Sequence, residues 1–559
     1  MKGLAVMHGL SLFLKIWLYL SYKPHNMIKK ALSAITLAII ALCASAQNPY
    51  MPLWEYIPDG EPYVFEDPDR PGEFRVYVYG SHDSLIDEYC GREQVVWSAS
   101  VDNLTDWRYD GIIFKSIYDA NGEFLNPDGK GDVLYAPDVT VKVGKDGKKE
   151  YYLFPNNQSG PRNGMIAKSD RPDGPFTVCN WDPSDPKKTV GVLAFDPAVF
   201  VDDDGRVYGY WGFEESYMAE FDPETMATVK PGCETLHNVV SGRYQEGIHH
   251  FFEASSMRKI KDKYVLIYSR MSPAGEYGLP ESNYNLAYAY SDHPLGPFTY
   301  GGLIIDGRAR DVDENGKIIP TAYPGGNTHG SIQEINGQWW VFYHRQTGTD
   351  EYSRQAMVAP ITVEVQEGPG GKVTISEGEY TSEGFCTEGL NPFHKSAAGW
   401  ACYIKNPEGI GQEWPNFFFT GSYIKPTRLD PESFAGPFNQ KQPFCPVVNN
   451  TSGSVVGYKY FNFDITSALK AIDLVLGIKP EGKDGTITVL VGGPEESKGG
   501  KVIGKTIISK DMPLEIQEVR CSVDALYGIT GKQPLFFVFS SETKDASICE
   551  FYDFRFEGR

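Results

Sequence analysis

From about Tyr56 to Val365 the chain repeats one pattern of polar and apolar positions. An acidic or polar residue opens a β-rich run, a turn follows, and an aromatic-rich strand then alternates apolar and polar positions. Five such units can be counted, and they begin at Asp59, Asp138, Asp196, Glu253 and His329. Their starts lie roughly 57 to 79 residues apart, enough for four strands and long loops in each unit. The pattern predicts an all-β domain of five similar sheets.

A repeated octet supports this division. The segment SDRPDGPF at Ser169–Phe176 recurs as SDHPLGPF at Ser291–Phe298, each time after an alternating strand. Five sheets arranged around an axis place the start of every innermost strand at the same end of a central channel. We therefore predict a five-bladed β-propeller whose functional site lies at that end.

Beyond Val365 the pattern changes, and 559 residues exceed what one hydrophobic core usually supports. Runs such as GYKYFNFDI, GTITVLVGG and PLFFVFSS alternate with turn residues, as in a β-sandwich of the jelly-roll type. We expect residues 47–375 to form the propeller, 376–395 a linker and 396–559 the sandwich.

The N-terminal segment has the three parts of a secretory signal. Met27 to Lys30 is basic, Ala31 to Leu42 is apolar, and the small residues Ala44 to Ala46 follow. We predict cleavage after Ala46 and a secreted product, periplasmic or at the cell surface. The residues before Met27 are interpreted as a misassigned start. Lipid attachment at Cys43 is the alternative, and no membrane span is expected in the mature chain.

Charge and cysteine content narrow the function classes. The formal charge is −21, and residues 1 to 46 contribute five lysines and no acid. So acidic a protein repels nucleic acid, whereas a neutral carbohydrate suits it. The eight cysteines after the predicted cleavage point are widely separated and form no CxxC pair, so the sequence signals neither a zinc cluster nor a dense disulfide framework.

Carboxyl groups open three of the five units, and this indicates acid–base chemistry. Glycoside hydrolysis needs one carboxylic acid to protonate the leaving oxygen and one carboxylate to activate water or attack the sugar. Asp59 taken alone suits an ordinary turn, Asp138 suits a strand start, and Glu253 suits a paired structural carboxylate. Their common place in the repeat is what favours a shared catalytic role.

The five openings resemble those of glycoside hydrolase family 43 in order and spacing, over about residues 56–365. The resemblance is carried by YIPDGEPYVF with VYVYGSHD, YAPDVTV, FDPAVFVDDDGRVYGYWG, FFEASSMRK, and GNTHGSI with VFYHR. It implies Asp59 as general base, Asp138 as the residue that tunes and orients the acid, and Glu253 as general acid. It also implies inversion at the anomeric carbon. The hydrolysis itself then requires no cofactor.

Further candidates surround these three. For Asp196 we favour a strand-start role, with substrate binding as the alternative. The resemblance implies that His329 lies at the channel axis and binds a calcium ion or water, and a buried histidine without metal is equally compatible with the sequence. His82, Trp211 and Arg345 stand at the outgoing ends of second strands, so they are candidate substrate contacts.

The C-terminal segment is similar to a family 6 carbohydrate-binding module, best in VVNNTSGSVVGYKYFNFD and GTITVLVGG. The family usually has a Glu-Ala-Glu strand that supplies calcium ligands, but here His394 to Ala397 reads HKSA after Asn391 to Phe393. Packing against the propeller is therefore an alternative role to glycan binding.

The favoured function is an exo-acting α-L-arabinofuranosidase on plant polysaccharide side chains. A β-D-xylosidase or another furanosidase is the alternative, because the two pentoses place their hydroxyls similarly. The expected partner is an arabinose- or xylose-containing polysaccharide or oligosaccharide, and no nucleic acid. A non-catalytic glycan-binding propeller would have lost one carboxylate, and all three are present.

Overall fold

The computed structural model describes residues 47 to 558 except 86, 145, 159, 324, 408, 414–415, 428–444, 467–471, 524–525 and 527. The predicted signal segment, including Cys43 and the cleavage point, lies outside the described residues. Within them the chain is almost entirely β-structure, as predicted, with short 3₁₀ turns at Glu276–Gly278, Ala398–Trp400, Phe463–Thr466 and Glu496–Lys498. No helix there is long and apolar enough to cross a membrane.

Five antiparallel sheets follow one another along the first part of the chain and form the blades of a propeller. Blade 1 contains Glu61–Glu66, Phe74–Gly80, Gln94–Ser100 and Asn103–Phe114. Blade 2 contains Asp138–Val143, Lys149–Phe154, Ala167–Ser169 and Thr177–Val178. Blade 3 contains Ala198–Val201, Val207–Trp211, Tyr217–Phe221 and Leu236–His237. Blade 4 contains Phe251–Ile260, Lys263–Arg270, Asn285–Ser291 and Thr299–Asp306. In the described residues blade 5 contains Ser331–Ile335, Gln338–Arg345 and Gln355–Ile361.

The blades close into a ring through their innermost strands. The first strand of blade 1 contacts that of blade 5, and Gly60 forms a parallel bridge with Gly330. A Cβ atom at Gly330 would lie 1.9 Å from the carbonyl oxygen of Phe342, so only glycine allows this approach. The five sequence units therefore surround one channel, as the repeat predicted.

Apolar clusters fill the space between neighbouring blades. Alternate positions of each strand point into these interfaces, which explains the aromatic-rich alternation in the sequence. Members of the five clusters include Val76 and Phe342, Tyr79 and Leu153, Phe154 and Val207, Tyr210 and Leu266, and Ile267 and Val341. Packing between blades thus fixes where each innermost strand begins.

The remaining strands form four hairpins and a two-sheet sandwich. The hairpins pair Trp181–Asp182 with Asp185–Thr189, Arg310–Val312 with Ile318–Pro320, Val363–Val365 with Val373–Ile375, and Ile410–Glu413 with Asn416–Phe419. One sandwich sheet contains Ser396–Ala397, Tyr423–Ile424, Val447–Val448, Ile472–Pro480, Gln517–Ser522 and Cys549–Gly558. The other contains Tyr403–Lys405, Val455–Asn462, Gly485–Val491, Lys501–Ile508 and Lys532–Ser540. Phe537, Phe551 and Phe554 pack together between them, with ring centroids 4.9 to 6.0 Å apart.

Candidate active site

A cavity of about 370 Å³ opens at the end of the propeller where the innermost strands begin. Each blade contributes to its lining: Asp59, Ala136, Asp196, Glu253 and His329 all lie at or just before the start of an innermost strand. The volume falls in the range of small-ligand sites. The propeller thus brings together residues that are far apart in the sequence.

Asp59 is a buried carboxylate held by cations and hydrogen-bond donors. Its φ of 61° is unusual for a residue other than glycine, and the site keeps it there. Arg354 donates from Nη1 to Oδ1 over 3.1 Å, and the Ser81 hydroxyl donates to Oδ2. Burial alone would raise the pKa of Asp59, but Arg354, together with His329 and Ser81, outweighs it and lowers the pKa. Asp59 is therefore ionised at neutral pH.

Glu253 is buried in the opposite kind of environment. The pairing register of its strand shifts on both sides of Glu253, and the next residue, Ala254, has a φ of 67°. Such irregularities re-aim a side chain. Burial is the main cause that raises the pKa of Glu253 well above its usual value, and the negative charges of Asp196 and Asp59 add to it. Burial and these charges therefore favour the protonated form of Glu253.

Asp196 lines the same cavity and contacts Asn156 and His329. Asn156 donates from Nδ2 to Asp196 Oδ1 over 3.0 Å, and His329 Nδ1 lies 3.5 Å from Oδ2. Burial disfavours the imidazolium form of His329, but Asp196, Asp59 and Glu61 outweigh that and raise its pKa to about 9. Asp196 thus lies beside the His329 imidazole, in the cavity that Glu253 also lines.

One cavity therefore presents a protonated carboxyl group and an ionised one. Titratable groups whose environments push their pKa values apart mark an acid and a base. Glu253 can donate a proton and Asp59 can accept one. This pair meets the requirement of glycoside hydrolysis.

The residues around His329 do not fit a calcium ion held by protein side chains. Calcium takes six to eight oxygen ligands, and His329 offers nitrogen beside the single carboxylate of Asp196. In the described part of the chain, no group of three or more His, Cys, Asp or Glu side chains is placed to hold a metal. We assign no catalytic step to a metal, and the predicted calcium or water ligand of His329 stays a prediction.

Known proteins with similar sequences identify the chain's family. The sequence profile of glycosyl hydrolases family 43 matches residues 81–367. A xylosidase/arabinosidase of Thermoclostridium stercorarium is 33% identical over 525 residues, which cover 90% of this chain and 98% of that protein. The chain belongs to glycoside hydrolase family 43. An arabinoxylan arabinofuranohydrolase of Paenibacillus polymyxa is 29% identical over 316 residues, covering 52% of this chain and 44% of that protein.

A solved structure is also similar to this family 43 member. It is a family 43 arabinoxylan arabinofuranohydrolase from Bacillus subtilis in complex with cellotetraose. The two chains are 22% identical, the match covers 92% of this chain and 97% of that one, and the TM-score is 0.43. The sequence relationship makes this chain a glycoside hydrolase.

The structure of this family 43 enzyme does not bring Asp138 to the cavity. Asp138 accepts a hydrogen bond from the Tyr63 hydroxyl over 2.6 Å and one from the Val199 amide over 2.7 Å, and it does not line the site. Asp196 lines the cavity with Glu253, and its charge adds to burial in raising the pKa of Glu253. The role predicted for Asp138 therefore fits Asp196, for which the sequence favoured a mere strand start.

None of the three predicted substrate contacts lines the cavity of the family 43 enzyme. His82 is buried between Glu55 and Glu93, at 3.1 and 3.2 Å. Trp211 stacks on Tyr217 between blades. These side chains stand at strand ends, as predicted, but they point into the interfaces between structural elements.

Arg345, the third of these residues, links blade 5 of the family 43 enzyme to the sandwich. It is fully buried and donates from Nη1 to the Ala401 carbonyl oxygen over 2.8 Å, and from Nη2 to that of Gly399. The arginine that reaches the cavity is Arg354, nine residues later. Arg354 and Asn156 lie outside the repeated strand pattern, so the sequence held no signal for either residue.

Proposed function

We propose that this glycoside hydrolase is an exo-acting, inverting α-L-arabinofuranosidase that removes side chains from a plant polysaccharide. The observation that carries the chemistry is the pairing of ionised Asp59 with protonated Glu253 in one cavity. A relative named arabinoxylan arabinofuranohydrolase supports the choice of sugar. The cavity volume lies at the low end for ligand sites, which suits one terminal sugar better than an internal stretch of chain.

In the proposed reaction Asp59 removes a proton from water while that water attacks the anomeric carbon. Glu253 donates its proton to the departing glycosidic oxygen in the same step. The products are the free sugar with inverted configuration and the shortened polysaccharide. Asp59 ends protonated and Glu253 ionised, and proton exchange with solvent restores both.

Asp196 keeps Glu253 in its protonated form in this proposal. Two nearby carboxyl groups cannot both ionise easily, and Asn156 and His329 stabilise the charge on Asp196. The proton is therefore retained on Glu253, where the leaving oxygen needs it. His344 stays neutral beside Asp59, because burial lowers its pKa to about 3.

The alternative specificity is a β-D-xylosidase. The Thermoclostridium stercorarium relative is named for both activities, so its similarity does not separate the sugars. We further propose export through the segment ending at Ala46, which rests on the sequence alone. We also propose that the sandwich binds glycan, and this too rests on the sequence alone.

The test is hydrolysis of the nitrophenyl α-L-arabinofuranoside and β-D-xyloside side by side, with the first product followed by NMR. We expect faster release from the arabinofuranoside and an inverted anomer. Faster release from the xyloside would select the alternative. A product with retained configuration would contradict Asp59 as a general base.

A further inference from the structure

A buried histidine lies directly behind the general base. His344 belongs to the blade 5 strand Gln338–Arg345, is fully buried, and does not line the cavity. Its Nδ1 lies 3.2 Å from the main-chain nitrogen of Asp59, and its Nε2 lies 2.9 Å from the carbonyl oxygen of Asn327. Asp59 and Asn327 both line the cavity. One imidazole ring therefore connects two cavity residues from different blades.

The partners of the two ring nitrogens determine where the ring carries its proton. A carbonyl oxygen can only accept, so Nε2 donates to Asn327, and an amide can only donate, so Nδ1 accepts from Asp59. Nδ1 also lies 3.4 Å from Oδ1 of Asp59, but without a proton it forms no ion pair there. Burial lowers the pKa of His344 to about 3, so the ring stays neutral. His344 is therefore the neutral Nε2–H tautomer, with its free lone pair on the Asp59 amide.

The main chain of Asp59 needs support from its surroundings. Its φ of 61° is left-handed, a conformation that residues other than glycine keep only where neighbouring groups hold them. On the C-terminal side, Gly60 is fixed by its parallel bridge to Gly330. On the N-terminal side, the hydrogen bond to His344 fixes the peptide plane that carries the Asp59 amide. The two constraints together determine the direction in which the Asp59 side chain leaves the backbone.

The carboxylate of Asp59 is held by other groups. Arg354 donates to Oδ1 and Ser81 donates to Oδ2, so these two residues set the charge and the rotation of the carboxylate. Arg354 stands directly before the strand Gln355–Ile361, which pairs with the strand of His344. Blade 5 therefore contacts Asp59 twice, once at the side chain and once at the main chain. Substitution of His344 leaves the side-chain donors in place and removes only the support of the main chain.

We propose that His344 is a positioning residue for the general base, whose Nδ1 holds the Asp59 main chain so that the carboxylate meets the attacking water. This inference rests on the proposed function, since it takes Asp59 as the base. A displacement of a reacting group by about 1 Å can cost about 10² in rate. A neutral ring adds no charge, so its loss should slow the attack of water without changing the pH at which Asp59 ionises.

The test separates the two ring nitrogens with a pair of substitutions. In His344→Asn the side-chain oxygen takes the place of Nδ1 and still accepts from Asp59, whereas the bond to Asn327 is lost. In His344→Gln the side-chain amide takes the place of Nε2 and still donates to Asn327, whereas the bond to Asp59 is lost. Each variant loses one buried hydrogen bond, so each controls for the stability of the other in urea denaturation. The substrates are the nitrophenyl glycoside and an oligosaccharide substrate with the same terminal sugar.

We expect kcat to fall about 10² in His344→Gln on both substrates, and less than about threefold in His344→Asn, with the acid limb of the pH profile unmoved in both. Equal losses in the two variants would overturn the proposal, because a merely structural residue predicts them. An acid limb that moves in His344→Gln would overturn it too.

Neutron diffraction from wild-type crystals tests the same contact without any substitution, and therefore also if neither variant folds. We expect the ring proton of His344 on Nε2, and a proton on Nδ1 would overturn the proposal, because Nδ1 could then not accept from Asp59. Wild type that is inactive, or that releases a product with retained configuration, would instead refute the proposed function.

Discussion

Two layers of buried ionisable groups occupy the same propeller channel, and they differ in what surrounds them. The mouth layer consists of Asp59, Asp196, Glu253 and His329, which line the cavity. The interior layer consists of Glu61, Tyr63, Asp138, Ser256 and Arg258, which lie farther along the innermost strands and do not line it. Both layers contain a carboxyl group with a raised pKa, Glu253 in one and Asp138 in the other.

The interior layer joins all five blades by hydrogen bonds. Arg258 of blade 4 donates to Glu61 of blade 1 over 2.9 Å and to the Ile332 carbonyl oxygen of blade 5 over 3.1 Å. Tyr63 of blade 1 donates to Asp138 of blade 2, which also accepts from the Val199 amide of blade 3. Removing one partner from such a buried network leaves the others unsatisfied. Its function is to hold the ring of blades together.

The comparison teaches that burial and a shifted pKa do not by themselves mark a catalytic group. Burial raises the pKa of Asp138 to about 7, and the charge of Glu61 adds to it. Both carboxyl oxygens of Asp138 nonetheless accept hydrogen bonds from protein donors, whereas Glu253 lines the cavity. Access to substrate is what separates the two layers, and substitutions can test this separation.

The largest effect is expected for Glu253→Gln in the mouth layer. Loss of the general acid should lower kcat/KM on the oligosaccharide substrate by about 10³ to 10⁴. The loss on the nitrophenyl glycoside should be far smaller, because the nitrophenolate anion departs without needing a proton from Glu253. Steady-state kinetics on both substrates measures the difference. Equal losses on the two substrates would argue against Glu253 as the acid.

Asp196→Asn should have the next largest effect, about 10² on kcat/KM, because burial alone then raises the pKa of Glu253 without the added charge of Asp196. In the proposed reaction, activity requires protonated Glu253 and ionised Asp59, so it should fall as pH rises through the pKa of Glu253 and as pH falls through that of Asp59. Without Asp196 the pKa of Glu253 drops, and the alkaline limb of the pH profile should move to lower pH. An alkaline limb that stays in place would contradict the role of Asp196.

The sequence predicted the architecture, and two of its three candidate catalytic carboxyl groups, Asp59 and Glu253, line the cavity. The repeated openings placed Asp59 and Glu253 at the same end of the channel, because the innermost strands of all blades in a propeller begin at the same end. Asp138 and Asp196 open successive blades with similar patterns, so the repeat could not rank them. Their difference depends on whether the side chain points to the cavity or to a neighbouring blade.

Residues outside the strands were beyond the reach of the pattern. Arg354 follows an irregular loop after Arg345, and only the folded chain shows that Arg354 contacts Asp59 while Arg345 contacts the sandwich. His82 and Trp211 stood at strand ends that suited a pocket rim, but packing between elements buries them. Spacing along the chain predicts which elements meet, and the loops between them decide which side chains reach the site.

Asp83→Asn should have an intermediate effect, because Asp83 positions Arg354 without lining the cavity itself. Asp83 accepts hydrogen bonds from the Arg354 main chain over 2.9 Å and from its guanidinium over 2.8 and 3.0 Å. When Arg354 is loosened, Asp59 loses its main stabilising cation and its pKa rises. We expect a loss of about tenfold in kcat/KM and an acid limb that moves to higher pH.

The matched control for Asp83 is Glu220→Gln. Glu220 is another buried carboxylate, paired with Arg206 and Lys230 on blade 3, and it does not line the cavity. Its loss should leave both limbs of the pH profile in place. An acid limb that is the same in Asp83→Asn and wild type would show that Asp83 is only a structural residue.

The smallest effect on activity, and a clear effect on stability, is expected for Asp138→Asn. Asparagine has one acceptor oxygen where Asp138 serves both Tyr63 and Val199, so one hydrogen bond is lost, at a cost of about 1 to 2 kcal/mol near pH 5. The pKa of Asp138 is raised by folding, so the stability from its protonated form is fully present below its unfolded pKa and is lost as pH rises through about 7. Asparagine does not ionise, and the deficit of the variant should therefore shrink from pH 5 to pH 8 in urea denaturation. A loss of activity above tenfold together with a shifted alkaline limb would instead return Asp138 to the catalytic role that its place in the repeat first suggested.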